Sequence, residues 1–212
     1  MKYILMSLIG YLSGSVMWAY LIPRIFLDMD ICELSEDHNP GSVNVFLNAG
    51  VKWGILVLCC ELAKGFLPVM LAKKWLDTFN VRFTFVLAAP VLGHAFPVFF
   101  PKKGGKAIAV SFGVLLGLTP YWGAVVMLAF FYVFFSAILV ITPHIYRSIV
   151  TYFCFGVTCL WKVTNPGIKL GCVAIALIVI GKHCVKYHGE KIKVLFLGHD
   201  RAQKGNEQKI QM

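Results

Sequence analysis

The chain has 212 residues, of which 58% are hydrophobic and only 14% charged, and its mean hydropathy is +0.75. This composition excludes an ordinary soluble domain and is typical of a polytopic membrane protein. The formal net charge of +10 does not require a nucleic-acid partner, because basic residues beside membrane spans set orientation and attract anionic lipid headgroups.

Apolar segments recur along the whole chain and predict an all-α integral membrane protein of about seven transmembrane helices. The segments are 3–27, 51–72, 81–100, 107–118, 121–141, 145–162 and 168–187. A helical span needs about 20 apolar residues, so segment 107–118 is predicted to be a short or broken helix. We expect residues 1–198 to form one membrane domain and residues 199–212 a polar cytoplasmic tail.

The distribution of lysine and arginine predicts the orientation. If all seven segments cross with the N-terminus outside, the inner side carries 13 basic residues and the outer side 6. The inner set is Arg24, Lys52, Lys102, Lys103, Lys106, Arg147, Lys182, Lys186, Lys191, Lys193, Arg201, Lys204 and Lys209. The outer set is Lys2, Lys73, Lys74, Arg82, Lys162 and Lys169. This bias favours an outside N-terminus and a cytoplasmic C-terminus.

The first inner loop, residues 28–50, is unusually acidic. Five of the ten acidic residues of the chain lie in it: Asp28, Asp30, Glu33, Glu36 and Asp37. Residues 38–45 (His-Asn-Pro-Gly-Ser-Val-Asn-Val) follow, a turn-forming sequence that presents main-chain N–H groups and side-chain amides. This part could bind an anion, whereas the preceding acids would repel one, hold a cation or form a merely solvated turn. We predict no metal site.

Polar residues inside apolar segments indicate either a site or a packed polar contact. Glu61 and Lys64 are three residues apart and therefore lie on one helix face. They are either part of a functional site or an internal ion pair that holds the bundle. His94, near the inner end of its segment, is either a packing residue or a catalytic one.

Residues 93–106 contain the end of an apolar segment and a glycine pair flanked by lysines. The glycine pair and its lysines, residues 103–106 (Lys-Gly-Gly-Lys), are hereafter called the cradle. Glycines can adopt positive φ, and successive N–H groups in such a turn form an anion-binding nest. A helix that starts at Ala107 would add its positive N-terminal end. The segment therefore predicts a phosphate cradle where an apolar span meets water. The alternative is a basic cytoplasmic loop that only fixes topology.

Five stretches along the chain together match the motifs of one family. They are residues 10–15 (Gly-Tyr-Leu-Ser-Gly-Ser), 39–45 (Asn-Pro-Gly-Ser-Val-Asn-Val), 61–68 (Glu-Leu-Ala-Lys-Gly-Phe-Leu-Pro), 93–106 and 188–198. With these motifs the chain resembles the acyl-phosphate:glycerol-3-phosphate acyltransferase family, integral membrane enzymes of bacterial phospholipid synthesis. The resemblance covers essentially the whole chain, and its third motif, 93–106, is long and specific.

The resemblance implies a membrane acyltransferase of phospholipid biosynthesis. It would transfer a fatty acyl group from acyl phosphate to glycerol 3-phosphate, giving lysophosphatidate, without a cofactor. The implied location is the bacterial inner membrane, as a multi-pass protein whose active face is cytoplasmic. An upstream enzyme that forms acyl phosphate is the implied partner.

An acyl phosphate is already activated, so the protein must hold the phosphate and bring an acceptor hydroxyl or amine against the carbonyl. The residues predicted to be catalytic are His94, Lys103, Lys106 and His188. Those predicted to bind substrate are Asn39, Gly41, Ser42, Asn44, Lys64, Gly104, Gly105 and Lys191. Three acidic residues are predicted to select the acceptor: Glu33, Glu36 and Asp37.

The chain departs from the family pattern at several polar positions. Glu33, Leu47 and Val194 replace arginines, Val110 replaces a threonine and Lys191 replaces an asparagine. The phosphate-handling arginines are thus lost, while the cradle is kept. Three alternatives therefore stay open beside the glycerol 3-phosphate enzyme. The first is a paralogue that acylates a less anionic or amine acceptor, and the second is a catalytically impaired protein that binds acyl phosphate or lipid. The third is an unrelated transporter or structural membrane protein.

Overall fold

The computed structural model describes residues 1–185 and 192–196. Helices dominate this part, as predicted, and they are α1 (Lys2–Ser15), α2 (Trp18–Leu27), α3 (Ile31–Leu34), α4 (Ser42–Ala49), α5 (Val51–Trp75), α6 (Phe83–Ala95), α7 (Ile108–Leu116), α8 (Gly123–Val133), α9 (His144–Lys162) and α10 (Pro166–Val185). A π-helical turn (Phe134–Ile138) extends α8, and two strands are β1 (Leu139–Thr142) and β2 (Lys193–Phe196). His188, Lys191 and the predicted tail 199–212 lie outside the described residues.

Among the described residues, two helices are long and apolar enough to cross a membrane unaided. These are α5, with 25 residues, and α10, with 20. Helices α1 and α2 would make a third span, bent by 41° where they meet. The predicted segment 107–118 contains a helix of only nine residues, α7, so the prediction of a short helix there is confirmed.

Two strands of four residues each accompany the helices of the predicted all-α fold. Segment 121–141 was predicted to be helical to its end, but its last residues form β1. This strand pairs antiparallel with β2, so that Leu139 faces Phe196 and Thr142 faces Lys193. The chain that follows α10 thereby returns to the residues that precede α9.

Helix α6 lies between α1 and α10, and α5 packs against α7. At these interfaces glycines bring the backbones together, as is common in membrane bundles. A Cβ atom added at Gly14 of α1 would lie 2.1 Å from the carbonyl oxygen of Pro90 in α6. A Cβ atom added at Gly113 of α7 would lie 2.1 Å from the carbonyl oxygen of Leu62 in α5.

A small apolar cluster packs the acidic loop against the N-terminal half of α5. Its buried members come from α2, α3, α4 and α5, and they are Ala19, Ile22, Ile31, Val45 and Val57. The main core of the bundle is separate from it and includes large side chains of α6 and α9. Loop 28–50 is therefore packed onto the bundle through its own hydrophobic residues.

We expect Gly14→Ala to lower the melting temperature of the detergent-solubilised protein by several degrees. The added methyl would overlap the Pro90 carbonyl, and overpacking of this kind is destabilising by about 1–3 kcal/mol. Gly123→Ala is the matched control, because a Cβ atom there meets no other atom within 4 Å. Equal melting temperatures for the two variants would contradict the close α1–α6 contact.

Candidate anion-binding site

The bend between α1 and α2 leaves main-chain groups without hydrogen-bond partners within a helix. Two charged side chains of α5 bind these groups instead. Lys64 Nζ donates to the carbonyl oxygen of Val16, at 2.6 Å. The N–H of Ala19, in the first turn of α2, donates to Glu61 Oε1 at 3.3 Å. A helix C-terminus favours a cation and a helix N-terminus an anion, so each charge lies at the helix end that stabilises it.

Glu61, Lys64 and His94 form one buried charged group, hereafter the buried triad. Lys64 Nζ lies 2.7 Å from Glu61 Oε2, which confirms that the two side chains share a helix face and form an internal ion pair. His94 Nδ1, from the last turn of α6, lies 3.1 Å from the same carboxylate oxygen. All three residues are at most 5% exposed. The His94 ring and the Glu61 carboxylate are thus within ion-pair distance of each other inside the bundle.

The cradle is packed against the last two residues of α6. The N–H of Gly105 donates to the carbonyl oxygen of His94 at 3.1 Å. A Cβ atom at Gly105 would lie 2.1 Å from His94 Nε2, and one at Gly104 would lie 2.1 Å from the carbonyl oxygen of Ala95. That Ala95 carbonyl also accepts a hydrogen bond of 2.7 Å from Lys182 of α10.

These contacts correct the predicted role of the two glycines. Neither Gly104 nor Gly105 has a positive φ; their neighbours Lys102 and Ala107 do, with φ of 73° and 62°. The glycines are needed because no side chain fits between the loop and α6. Helix α7 begins at Ile108, with Ala107 as its N-cap, so the predicted helix after the cradle is confirmed.

Lys103 of the cradle lies against the acidic loop. Its Nζ is 3.5 Å from Asp30 Oδ2 and 4.9 Å from the centre of the Tyr20 ring. Arg24 also binds the Asp30 carboxylate, at 3.1 Å. Burial disfavours the charged form of Asp30, but the Cys32 N–H and the Lys103 ammonium outweigh it and lower the pKa of this carboxyl.

Lys106 of the cradle makes the closest contact with the acidic loop. Its Nζ donates to Asp37 Oδ2 at 2.6 Å and also contacts Nε2 of His144, the first residue of α9. The other Asp37 oxygen accepts from the side-chain amide of Asn44 at 2.8 Å, and that amide also donates to the carbonyl oxygen of Asn39. Loop 37–44 is thus connected to the cradle through one carboxylate.

The predicted anion-binding turn retains unused polar groups. Asn39 Oδ1 and Ser42 Oγ are buried and have no hydrogen-bond partner among the described residues. Gly41 is the N-cap of α4 and, having no side chain, provides no cap for the first N–H groups of that helix. Main-chain donors and a hydroxyl therefore lie close in sequence to Asn44 and Asp37.

The remaining predicted residues differ in their surroundings. Glu33 and Glu36 are exposed, whereas Asp37 is half-buried against Lys106. Lys64 is part of the buried triad, and its hydrogen bond goes to the α1–α2 bend. Two basic side chains near the cradle were not predicted as site residues, His144 and Lys182, because neither belongs to a recognisable motif.

This arrangement can hold an anionic headgroup at the end of an apolar bundle. Two lysines, the N-terminus of α7 and the turn before α4 supply positive charge and N–H donors. The helices beside them expose large apolar side chains, which suit a hydrocarbon tail.

Comparisons with known proteins agree on one family. The model of the family described as glycerol-3-phosphate acyltransferase matches residues 4–196. A glycerol-3-phosphate acyltransferase of Hydrogenobaculum sp. is 32% identical over 84% of this chain and 88% of that protein. Another, from Albidiferax ferrireducens, is 29% identical over 84% of this chain and 80% of that protein.

The solved structures include a similar fold. The crystal structure of PlsY, an integral membrane glycerol 3-phosphate acyltransferase, in its glycerol 3-phosphate form matches with a TM-score of 0.73. It is 26% identical in sequence, and the match covers 87% of this chain and 90% of that one. The helical membrane architecture predicted from the sequence is therefore shared with a known membrane enzyme.

We expect Asp30→Asn to destabilise the protein at about pH 7 and to lose this effect in acid. The carboxyl has a folded pKa below its ordinary value of 3.8, so its contribution is complete above that value and is lost as the pH falls through the folded pKa. The measurement is the difference in melting temperature between variant and wild type from pH 7 to pH 3. Asp28→Asn, at an exposed position two residues away, is the control for the change in charge. A difference that does not shrink with falling pH would contradict the pairing of Asp30 with Lys103.

Proposed function

Because the chain belongs to the glycerol-3-phosphate acyltransferase family, it is a membrane acyltransferase, and we propose that it transfers a fatty acyl group from acyl phosphate to glycerol 3-phosphate, giving lysophosphatidate. The main observation in support of the proposal is that the positively charged lysines of the cradle contact anionic oxygens. Both of its lysines bind carboxylate oxygens of the acidic loop, at 2.6 Å and 3.5 Å, so the site already coordinates anionic oxygens. A phosphate offers the same kind of oxygen with more charge.

The reaction needs positioning more than it needs a nucleophile on the enzyme. The acceptor hydroxyl oxygen attacks the acyl carbon, a new ester C–O bond forms, and the C–O bond to phosphate breaks. The hydroxyl proton ends on the departing phosphate, directly or by way of His94 or His188. Lys103, Lys106 and the cradle amides stabilise the charge on the phosphate as it leaves, which is where preorganised donors accelerate a reaction most.

The loop before α4 is proposed to complete the phosphate site. Asn44 is already tied to the cradle through Asp37, and Ser42 and Asn39 have buried oxygens that lack a described partner. The uncapped N–H groups that follow Gly41 would donate to a phosphate oxygen, as at other helix N-termini.

The site is proposed to face the cytoplasm of a bacterial cell, across the inner membrane from the N-terminus. If the seven predicted segments cross with the N-terminus outside, the cradle and the acidic loop would lie on the side that carries the larger number of basic residues, which supports this proposal. An enzyme that forms acyl phosphate would supply the donor on that side.

Asp37 favours a second candidate, in which the acceptor is less anionic or is an amine. Its carboxylate lies on Lys106, where it competes with a phosphate for the same ammonium and would attract a cationic acceptor. The exposed Glu33 and Glu36 add negative charge to the same loop.

Purified wild type in detergent is expected to form lysophosphatidate from palmitoyl phosphate and glycerol 3-phosphate. Lys106→Ala should reduce kcat/KM at least about a hundredfold, the usual effect of removing a donor from a charge-stabilising site. Lys102→Ala is the matched control, since this exposed neighbour loses the same charge without contacting the loop carboxylates. Transfer by the wild type to neutral or amine acceptors only would establish the second candidate. Equal losses in the two variants would remove the cradle from the mechanism.

Asp37→Asn is expected to lower KM for the phosphorylated substrates about fivefold, the equivalent of ~1 kcal/mol for one partly exposed ion pair. The amide keeps an oxygen for Asn44 but no longer competes with phosphate for Lys106. Glu36→Gln removes the same charge from an exposed position and serves as the control. A higher KM in Asp37→Asn would mean that the carboxylate helps to bind the acceptor, as expected for a cationic one.

A further inference from the structure

We propose that Glu61 is a positioning residue for the cradle, acting through His94, and that Lys64 holds Glu61 in the orientation this requires. The inference rests on the proposed role of the cradle in binding phosphate. It assigns a function in the reaction to the Glu61–Lys64 ion pair, which also binds main-chain groups at the bend between α1 and α2.

The first argument is the path of contacts through the His94 ring. Glu61 Oε2 lies 3.1 Å from Nδ1, on one edge of the ring. Nε2, on the other edge, is the atom that a Cβ at Gly105 would overlap, at 2.1 Å. An imidazole is rigid, so holding one nitrogen fixes the surface on which the cradle rests.

The second argument is that the same residue also holds the cradle by its main chain. The carbonyl oxygen of His94 accepts from the N–H of Gly105 at 3.1 Å. Ring and carbonyl thus contact the same glycine from one residue. A rotation of the His94 ring would displace Gly105 and change the direction of the neighbouring cradle amides, where errors of a fraction of an ångström reduce catalysis.

The third argument explains why a lysine accompanies the glutamate. A carboxylate alone inside an apolar bundle would be very unfavourable, because it loses its hydration without compensation. Lys64 Nζ neutralises Glu61 at 2.7 Å and is itself fixed by the Val16 carbonyl. With the N–H of Ala19 on the other oxygen, both carboxylate oxygens have a partner, and the carboxylate can keep the imidazole in one place.

A role in bundle stability alone and a role in positioning predict different results for Glu61→Gln, which keeps the size and removes the charge. If the triad only stabilised the bundle, the variant would melt at a lower temperature but keep an intact cradle. If it positions the cradle, hydrogen–deuterium exchange should rise selectively in the peptide that covers residues 101–107. The affinity for inorganic phosphate and for glycerol 3-phosphate, measured by equilibrium binding, should fall about ten- to a hundredfold, as is usual when a residue that orients a ligand-binding group is removed.

A second variant decides the matter if Glu61→Gln fails to fold because it leaves Lys64 uncompensated. Glu61→Gln combined with Lys64→Met contains no unpaired charge, and the same two measurements apply to it. Glu61→Asp, which restores the carboxylate, should be closer to wild type than the glutamine variant. Exchange in 101–107 and phosphate affinity that match wild type in the folded variant would overturn the proposal.

Gly105→Ala tests the other end of the path. It should weaken phosphate binding to a similar extent, and its combination with Glu61→Gln should add little, because both changes act through the His94 ring. Gly167→Ala is the matched steric control, because its added Cβ atom would lie 2.3 Å from the carbonyl oxygen of Thr78. Gly167 is at the start of α10, whereas Lys182, which contacts Ala95 beside the cradle, is near the end of that helix. Fully additive effects of the first two changes would contradict a shared path. Turnover by the wild type is measured in parallel, and absence of acyl transfer would reject the proposed function. The positioning role of Glu61 is tested separately, by hydrogen–deuterium exchange and by phosphate binding.

Discussion

A helix that bends inside an apolar bundle leaves main-chain groups that water cannot reach, and this constraint explains much of the present structure. The bend between α1 and α2 leaves the Val16 carbonyl and the Ala19 N–H to be satisfied, and one ion pair satisfies both. Glu61 and Lys64 could not be buried without each other, and the bent main chain could not be buried without them. The charge introduced for this purpose also reaches His94, and through it the loop at the end of α6.

The charge of the cradle is neutralised from within the chain. Lys103 and Lys106 come close together in a short loop, and two unpaired ammonium groups there would repel each other. Asp30 and Asp37 each neutralise one of them. The acidic loop therefore supplies internal counter-ions for the cradle lysines. In the proposed phosphate site, a phosphate would compete with Asp37 at Lys106, the tighter of the two contacts.

The features that could be predicted from the sequence depend on residues only a few positions apart in the chain. The spacing of Glu61 and Lys64 predicted one helix face, and the glycine pair followed by an apolar run predicted a loop that leads into a helix. The reason for the glycines was wrong, because a glycine serves equally for positive φ and for close approach, and only the partner across the gap distinguishes the two. The partner of Gly105 is His94, which no local rule could place there.

Contacts between segments far apart in the sequence could not be predicted either. Lys182 was counted as an orientation charge because a lysine at the end of an apolar segment usually has that role. His144 follows Pro143 and begins a helix, which gives no sign that its ring meets Lys106. The strands were missed because β1 continues an apolar segment without a change of composition, and its partner is 51 to 57 residues away.

The pairing of β1 with β2 bears on the order in which the protein is built in the cell. Strand β1 leads directly into Pro143 and His144, which contacts the cradle, and its partner in the described structure is β2, which follows the last long helix. During synthesis, β1 must wait for α9 and α10 to emerge from the ribosome and enter the membrane before this pairing can form. The surroundings of the cradle are therefore completed only after α10 and β2 have been synthesised, so a chain interrupted before β2 would insert most of its helices yet leave this side of the site unfinished.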